Sequence, residues 1–209
     1  AKQEKTAAEV VRKCDITFAM VSDPAAAEAL CFDDGGVLEG MGEGKAYVDI
    51  STVDAATSKK ISEAITAKGG RFLEAPVSGS KKPAEDGTLV FLCAGDKTLF
   101  DDAQKALDVM GKKSFYFDQI GQGAEMKLVI NMIMGTMMTS FAEGLSLGGK
   151  IDLKPSDIID VIAEGAINCP MFGLKGPLMA DENFAPAFPL KHMQKDMRLA
   201  MLLGDAHSQ

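Results

Sequence analysis

Hydrophobic and polar positions follow two different patterns along the chain, and the change falls near Gly121. Before Gly121, short apolar runs alternate with stretches in which apolar residues recur at helical spacing. Alternation of strands with helices is typical of crossover units and predicts a largely parallel sheet. The predicted strands cover residues 16–21, 47–50, 71–75, 89–94 and 114–117.

After Gly121 the apolar spacing is helical. Over residues 123–148 it continues for about seven turns. The apolar positions in this stretch are Met126, Ile130, Ile133, Met134, Met137, Phe141 and Leu145. Further helices are predicted over residues 155–165 and 190–204, whereas the prolines of 168–189 predict loops with brief helical turns. The sequence therefore predicts an α/β domain over residues 1–120 and an all-α domain over residues 121–209, which begins with a long interdomain helix.

Composition narrows the function classes. A net charge of −8 argues against a nucleic acid or an anionic membrane as partner, because both require a basic face. No run reaches about 18 apolar residues, and the first 30 residues lack a signal-peptide pattern. The four cysteines are far apart and the chain has two histidines, so we expect reduced thiols and no metal site.

A lysine and an asparagine share one face of the predicted long helix. Lys127 and Asn131 are four residues apart, and Gly121 and Gly123 precede them in a turn where the backbone can approach a ligand closely. A lysine among apolar neighbours is costly to desolvate unless it has a partner or a task. The alternative is a lysine that extends to solvent beside a structural asparagine, and spacing alone favours neither reading.

Other candidate residues follow the predicted strands, where ligands of open α/β sheets bind. The turn Ser78-Gly79-Ser80 offers hydroxyl and N–H groups to a carboxylate, although a plain polar β-turn explains it equally well. Asp23 is better explained as a helix cap that precedes Pro24. The charged run over residues 191–196 has a solvated helix face as its simpler explanation.

Three motifs in chain order resemble the β-hydroxyacid dehydrogenase family, and within it the plant-type glyoxylate/succinic semialdehyde reductases. They are the substrate motif at residues 74–79, the catalytic motif at 121–131 and the second cofactor motif at 195–200. Ser80 stands where most relatives have a second glycine, which favours this branch. The resemblance implies a Rossmann-like NADP-binding domain followed by a helical domain like that of 6-phosphogluconate dehydrogenase.

The resemblance also implies an activity and a site. The activity is NADPH-dependent reduction of glyoxylate to glycolate and of succinic semialdehyde to 4-hydroxybutyrate, with Lys127 as proton donor and Asn131 beside it. The implied substrate-binding residues are Ser78, Gly79, Ser80, Asn131, Phe188 and Asp196. The implied NADP(H)-binding residues are Met20, Val21, Ser22, Pro24, Thr52, Gly123 and Lys195.

Several expectations concern the wider protein. The family begins with a strand and a GxGxxG turn, which we expect before Ala1, and further helices are expected after Gln209. A cytoplasmic location is expected, with plastid and mitochondrion as alternatives, together with a homo-oligomer formed through the helical domain.

The sequence is compatible with two other functions. One is a non-catalytic scaffold for assembly or partner binding, as in nuclear relatives that lack the motif lysine. The other is a different dehydrogenase of the superfamily. A 3-hydroxyisobutyrate dehydrogenase usually has the second glycine at position 80, and a 6-phosphogluconate dehydrogenase has a histidine where this chain has Ile130.

Overall fold

Six short strands form one sheet in a computed structural model that describes residues 2–208. The strands are β1 (Ile16–Ala19), β2 (Ala46–Asp49), β3 (Arg71–Glu74), β4 (Val77–Ser78), β5 (Leu89–Gly95) and β6 (Gly111–Phe117). The helices are α1 (Ala7–Lys13), α2 (Pro24–Phe32), α3 (Val37–Gly40), α4 (Ala55–Ala67), α5 (Lys81–Glu85), α6 (Lys97–Met110), α7 (Gln122–Lys150), α8 (Pro155–Glu164), α9 (Pro170–Ala180) and α10 (Leu190–Ala206).

The sheet is mostly parallel, as predicted, but its direction changes once. Strands β1, β2 and β3 are parallel neighbours, and β5 and β6 form a second parallel pair. Between these groups β5 runs antiparallel to β3. The expected crossover before β5 is therefore wrong. Only ten residues separate Ser78 from Leu89, and a parallel connection needs about a dozen or more.

The short strand β4 was not predicted and continues β3 beyond Pro76. Both pair with β5 in one unbroken antiparallel register, in which Leu73 faces Gly95 and Val77 faces Phe91. The segment from β3 through β4 therefore forms one extended edge along β5.

Aspartates begin three of the sheet-covering helices. Asp23, Asp54 and Asp96 each accept a hydrogen bond from a backbone N–H in the first turn of α2, α4 and α6. These are the side-chain caps that short polar residues provide to free helical N–H groups. The structure confirms the prediction that Asp23 is a cap followed by Pro24 at the first helical position.

Successive strand residues point to opposite faces of the sheet, and each face has its own core. Tyr47 and Phe72 belong to a cluster that includes Ile61 and Ile65 of α4. Val48 and Leu73 belong to the other cluster, where α6 contributes Leu99, Ala103 and Leu107. Both clusters are almost fully buried, so helices cover both faces of the sheet.

The buried stripe of α7 differs from the predicted apolar stripe. Its buried residues recur at helical spacing and include Lys127 and Asn131, whereas Met126 and Ile133 are exposed. The apolar spacing thus predicted the helix correctly, but it does not identify which positions of the helix are buried. Helical spacing identifies which residues share a face, but several apolar faces on one helix leave open which of them is covered.

The region predicted as loops between residues 168 and 189 contains the eleven-residue helix α9. Pro170 occupies its first position, where proline is tolerated, and Pro177 lies inside it. Phe172 stacks on Phe141 with ring centroids 4.5 Å apart, and Gly176 lies against Ile159 and Phe141. Packing of this kind overrides the weak local preference, which is why the loop prediction is wrong here.

The described chain divides into two compact units. One contains the residues up to Asn131 together with those from Phe188 onward, and the other contains residues 132–187. Helix α7 contributes residues to both units. The predicted domain boundary at Gly121 stays a prediction. It was drawn from a change in the sequence pattern, whereas the two compact units are defined by contacts between residues.

By length and composition alone, α7 is apolar enough to cross a membrane. Core helices of soluble proteins meet the same criterion, so one such helix is weak evidence for a membrane span. In α7 this stretch includes the buried polar residues Lys127 and Asn131.

Candidate active site

Lys127 lies in the second turn of α7 with only 6% of its surface exposed. Its Nζ donates a hydrogen bond to Asn131 Oδ1 at 3.0 Å, as the four-residue spacing predicts. Burial lowers the pKa of Lys127 to about 8, with Asp196 opposing the decrease and Lys195 adding to it. The structure therefore excludes the reading in which this lysine extends to solvent.

Asn131 connects Lys127 to a buried carboxylate on α10. Its Nδ2 donates to Asp196 Oδ2 at 2.6 Å, while its Oδ1 accepts from Lys127. Asp196 is 1% exposed and Asn131 is 2% exposed. The two contacts fix the orientation of the amide, because each uses an atom that could not play the other part.

Lys195 connects this group of residues to the end of the second strand. Its Nζ donates to the carbonyl oxygen of Thr52 at 2.5 Å and lies 2.9 Å from Asp196 Oδ1. The second contact is an ion pair without hydrogen-bonding geometry, since Asp196 Oδ1 has no hydrogen-bond partner. The charged run on α10 is thus partly buried, and its simpler explanation as a solvated face does not apply to Lys195 and Asp196.

The ends of β1 and β2 are also held together. Val21 donates its N–H to Ser51 Oγ at 2.9 Å, and Ser51 donates its N–H to Asp49 Oδ1 at 2.9 Å. Asp49 is buried, its Oδ2 has no hydrogen-bond partner, and burial raises its pKa. These contacts bring Val21 and the residues around Thr52 to one edge of the sheet, at the carboxyl ends of parallel strands.

The Ser78-Gly79-Ser80 turn follows β4. Ser78 and Ser80 are half-buried and Gly79 is exposed. Gly79 has a φ of +131°, a backbone conformation that favours glycine. Within residues 2–208, no hydrogen bond joins this turn to Lys127, Asn131 or Asp196, so its part in a substrate site stays a prediction.

The remaining predicted residues are more accessible. Met20 is 66% exposed and Phe188 is 40% exposed, with the Phe188 ring 6.1 Å from that of His192. Ser22 is exposed and donates to Asp23, and Pro24 begins α2. No described contact connects these four residues to Lys127, and their assignments to cofactor or substrate stay predictions.

Gly123 contacts Glu74 at the start of α7. Glu74 belongs to the substrate motif, but the sequence analysis assigned it no role of its own. Glu74 Oε1 accepts the N–H groups of Gly121 and Gly123, both at 2.8 Å, and Glu74 Oε2 accepts from the Ser58 hydroxyl. Burial raises the pKa of Glu74, and these hydrogen bonds oppose the increase. The described contacts of Gly123 are thus within the protein, and its contact with the cofactor stays a prediction. The sequence offered one indication that Glu74 has a special role, which is that a glutamate directly follows the apolar residues of a strand.

Gly123 has a measurable packing role. A Cβ at this position would lie 2.3 Å from the carbonyl oxygen of Leu92. We expect Gly123→Ala to lower the free energy of unfolding by about 1–3 kcal/mol, measured by urea unfolding followed by circular dichroism. Gly144→Ala is the matched control, because it lies in the same helix with nothing within 4 Å of its added Cβ. It should be neutral or stabilising by up to about 1 kcal/mol. Equal effects of the two substitutions would contradict the packing role.

Among residues 2–208, no group of three or more His, Cys, Asp or Glu side chains could hold a metal ion. The polar side chains that the structure brings together at the site are those of Lys127, Asn131, Lys195 and Asp196. One ammonium of lowered pKa, held by an amide, suits proton donation to an oxygen on which negative charge develops. Strand ends at a sheet edge, beside the partly buried cation Lys195, suit a phosphate-containing dinucleotide.

Fold and site thus define a dinucleotide-dependent dehydrogenase of the Rossmann type, and comparison with known proteins identifies the family. Residues 1–121 match the family model for the NAD binding domain of 6-phosphogluconate dehydrogenase. Residues 121–208 match the model described as NAD-binding of NADP-dependent 3-hydroxyisobutyrate dehydrogenase. The chain belongs to the β-hydroxyacid dehydrogenase family.

Curated relatives are similar over nearly the whole chain. Glyoxylate/succinic semialdehyde reductase 1 of Arabidopsis thaliana is 60% identical over 96% of this chain and 70% of its own length. The chloroplastic reductase 2 of the same plant is 54% identical over 100% of this chain and 58% of its own length. The cytokine-like nuclear factor N-PAC of Mus musculus is 45% identical over 99% of this chain and 38% of its own length.

A solved structure confirms the fold. The 3-hydroxyisobutyrate dehydrogenase of Mycobacterium tuberculosis, described with L-serine, matches 99% of this chain and 72% of its own chain. The TM-score is 0.86 at 27% sequence identity. The predicted Rossmann-like unit followed by a helical region is therefore confirmed.

Proposed function

We propose that this chain forms the core of an NADPH-dependent reductase of small aldehydes that bear a carboxylate, with glyoxylate and succinic semialdehyde as substrates. The observation that carries the proposal is the buried Lys127, held by Asn131 and with a pKa lowered to about 8. The names and the identities of 60% and 54% of the two plant reductases support the choice of substrates.

Proton delivery is assigned to Lys127. When bound, NADPH supplies a hydride to the carbonyl carbon, and negative charge then grows on the carbonyl oxygen. The Lys127 ammonium stabilises that oxygen and transfers a proton to it from Nζ. A pKa of about 8 keeps the amine mostly protonated at pH 7 while making it a better acid than an exposed lysine.

Asn131 and Asp196 act on the orientation of this ammonium. Asn131 Oδ1 holds Nζ, and Asp196 holds the other end of the amide. One Nδ2–H of Asn131 remains for a substrate oxygen. Ser78, Gly79 and Ser80 are proposed to bind the substrate carboxylate through hydroxyl and N–H groups, and Phe188 to cover it.

Cofactor binding is assigned to the strand ends. The segment Met20, Val21, Ser22 and Pro24 would line the dinucleotide together with Thr52, and Lys195 would stand beside it. The contacts between Val21 and Ser51 and between Lys195 and Thr52 support this assignment, because Ser51 and Thr52 are consecutive residues, so that both strand ends and one cation lie close together. NADPH rather than NADH is proposed from the second family model, whose description names an NADP-dependent enzyme.

An assay of cofactor oxidation tests the proposal. The purified full-length protein is mixed with NADPH and either glyoxylate or succinic semialdehyde, and the loss of NADPH absorbance is followed. We expect turnover with both aldehydes and none without them. A parallel reaction with NADP⁺ and 3-hydroxyisobutyrate tests the alternative dehydrogenase. Turnover there and none with the aldehydes would overturn the proposed substrates.

The 45% identity with N-PAC favours one second candidate, a non-catalytic scaffold for assembly or partner binding. A scaffold needs no buried ammonium of lowered pKa, so the geometry around Lys127 supports the reductase instead. The same assay discriminates, since a scaffold would bind NADPH without oxidising it in the presence of either aldehyde.

Location and assembly are further proposals. A cytoplasmic location is supported by the higher identity with reductase 1 than with the chloroplastic reductase 2. A homo-oligomer through the helical region is supported by exposed apolar side chains of α7, including Ile133 at 51% and Leu147 at 65% exposure. Sedimentation equilibrium of the chain measures its oligomeric state directly.

A further inference from the structure

Glu74 is a buried charged side chain to which the reaction above gives no role. It ends β3 with 2% of its surface exposed. Its Oε1 accepts backbone N–H groups from Gly121 and Gly123 at 2.8 Å and from Ala124 at 3.4 Å. Its Oε2 accepts the hydroxyl of Ser58 on α4. Both carboxylate oxygens are therefore used within the protein.

These contacts replace the usual cap of a helix. The first N–H groups of a helix have no partner within it, and a side chain just before the helix normally accepts them. For α7 the acceptor is instead Glu74, which lies 47 residues before Gly121. A carboxylate is well suited to this place, because the helix dipole is positive at the N-terminus.

Glu74 holds the first turn of α7, and the position of this turn determines the position of Lys127. Gly123 and Lys127 are four residues apart on α7, so one turn of helix separates them. The reach of Lys127 Nζ to Asn131 Oδ1 follows from the helix itself. The placement of this pair relative to the sheet depends on how the first turn is attached.

Glu74 also lies on the strand segment that leads to the substrate turn. The register of β3 and β4 along β5 is unbroken, so Glu74 and Ser78 belong to one extended edge about 13 Å apart along the strand. One residue therefore attaches the helix of the proton donor to the strand that ends at Ser78.

We propose that Glu74 is a positioning residue for this reduction, in which its carboxylate fixes the first turn of α7 to β3 and so sets the place of Lys127 relative to the Ser78-Gly79 turn. The inference rests on the proposed function of Lys127. It requires that Glu74 affect turnover beyond any effect on the amount of folded protein.

Three substitutions separate positioning from simple stabilisation. Glu74→Ala removes both acceptors, Glu74→Asp shortens the reach by one methylene, and Glu74→Gln keeps an acceptor oxygen for the N–H groups. The matched control is Glu125→Ala, since Glu125 is an acidic residue of the same helical turn for which no side-chain contact is described. Turnover is measured per folded molecule, with glyoxylate and NADPH.

We expect Glu74→Ala to lower kcat by about 10²-fold, which is the cost of misplacing a catalytic group by about 1 Å. The KM for NADPH should stay unchanged. Glu74→Asp should fall between Ala and wild type, and Glu74→Gln should restore most of the turnover. Glu125→Ala should behave as wild type. If Glu74→Ala fails to fold, the ordering of Asp, Gln and wild type decides the question.

A second measurement needs no activity. NMR with ¹³C-labelled lysine follows the titration of Lys127, whose facing charged groups are Asp196 and Lys195. In Glu74→Ala or Glu74→Asp, we expect its pKa to move from about 8 towards the ordinary 10.5, because water reaches a displaced turn. An unchanged Lys127 titration and full turnover per folded molecule would overturn the positioning role. Absence of aldehyde reduction by the wild-type full-length protein, with the Lys127 titration sensitive to Glu74, would overturn the proposed function alone.

Discussion

Replacement of Lys127 by alanine is expected to lower kcat for glyoxylate reduction by about 10²–10⁴-fold, the usual contribution of a positioned acid. The affinity for NADPH should change little, because Lys127 contacts Asn131 and not the strand ends assigned to the cofactor. Turnover is measured by NADPH oxidation, and cofactor affinity is measured by fluorescence titration. Lys127→Arg should not restore activity, because guanidinium is a much weaker proton donor with a different shape.

Lys150→Ala is the control for this substitution. Lys150 ends the same helix, is exposed and has no described ionic partner, so its loss should leave turnover unchanged. If Lys127→Ala retained more than a tenth of the wild-type turnover, the proton would have to come from another group, and the proposed mechanism would be wrong.

The second large effect is expected at Asp196. Asp196→Asn removes the carboxylate that accepts a hydrogen bond from Asn131 and forms an ion pair with Lys195. The size of the side chain stays nearly the same. Hydrogen bonds to charged groups contribute about 1.5–3 kcal/mol, which corresponds to a loss of roughly 10–150-fold in kcat/KM.

The dependence of turnover on pH should change as well in Asp196→Asn. Asp196 raises the pKa of Lys127, so its neutralisation should lower that pKa below about 8.

The sign of the pH effect follows from the role of Lys127. Only the protonated amine donates a proton, so wild-type turnover should fall as pH rises through about 8. In Asp196→Asn this decrease should begin at lower pH. The control Asp205→Asn, an exposed residue near the end of the same helix, should leave the profile in place. A profile that Asp196→Asn leaves unmoved would show that Asp196 does not act on Lys127.

Local patterns were sufficient for most of the secondary structure. Asp23 before Pro24 indicated both the cap and the start of α2, and helical spacing indicated α8 and α10. These predictions succeed because caps and helical spacing depend on residues within one or two turns. The helix α9 and the antiparallel direction of strand β5 were not predicted, since packing against Phe141 and a short connection, rather than local preference, decide them.

The candidate site shows the same limit. The pairing of Lys127 with Asn131 was available from sequence, because residues four apart on a helix are neighbours in any fold. The partners that give the pair its chemistry were not, since Asp196 lies 65 residues from Asn131 and Glu74 lies 47 residues from Gly121. Family resemblance pointed to Asp196, and it placed Glu74 in the substrate motif without assigning that residue a role of its own.

The amino-acid sequence by itself determined which side chains the helix α7 presents together and which residues can cap or end each element. Only the tertiary structure decided that the face with Lys127 and Asn131 is buried while Met126 and Ile133 remain exposed. The physical reason is that the elements which pack against a helix decide which of its faces is buried, and here α10 contacts Leu128 and Asn131. Helix α10 is distant in sequence and meets α7 only when the chain is folded, and the burial that results lowers the pKa of Lys127.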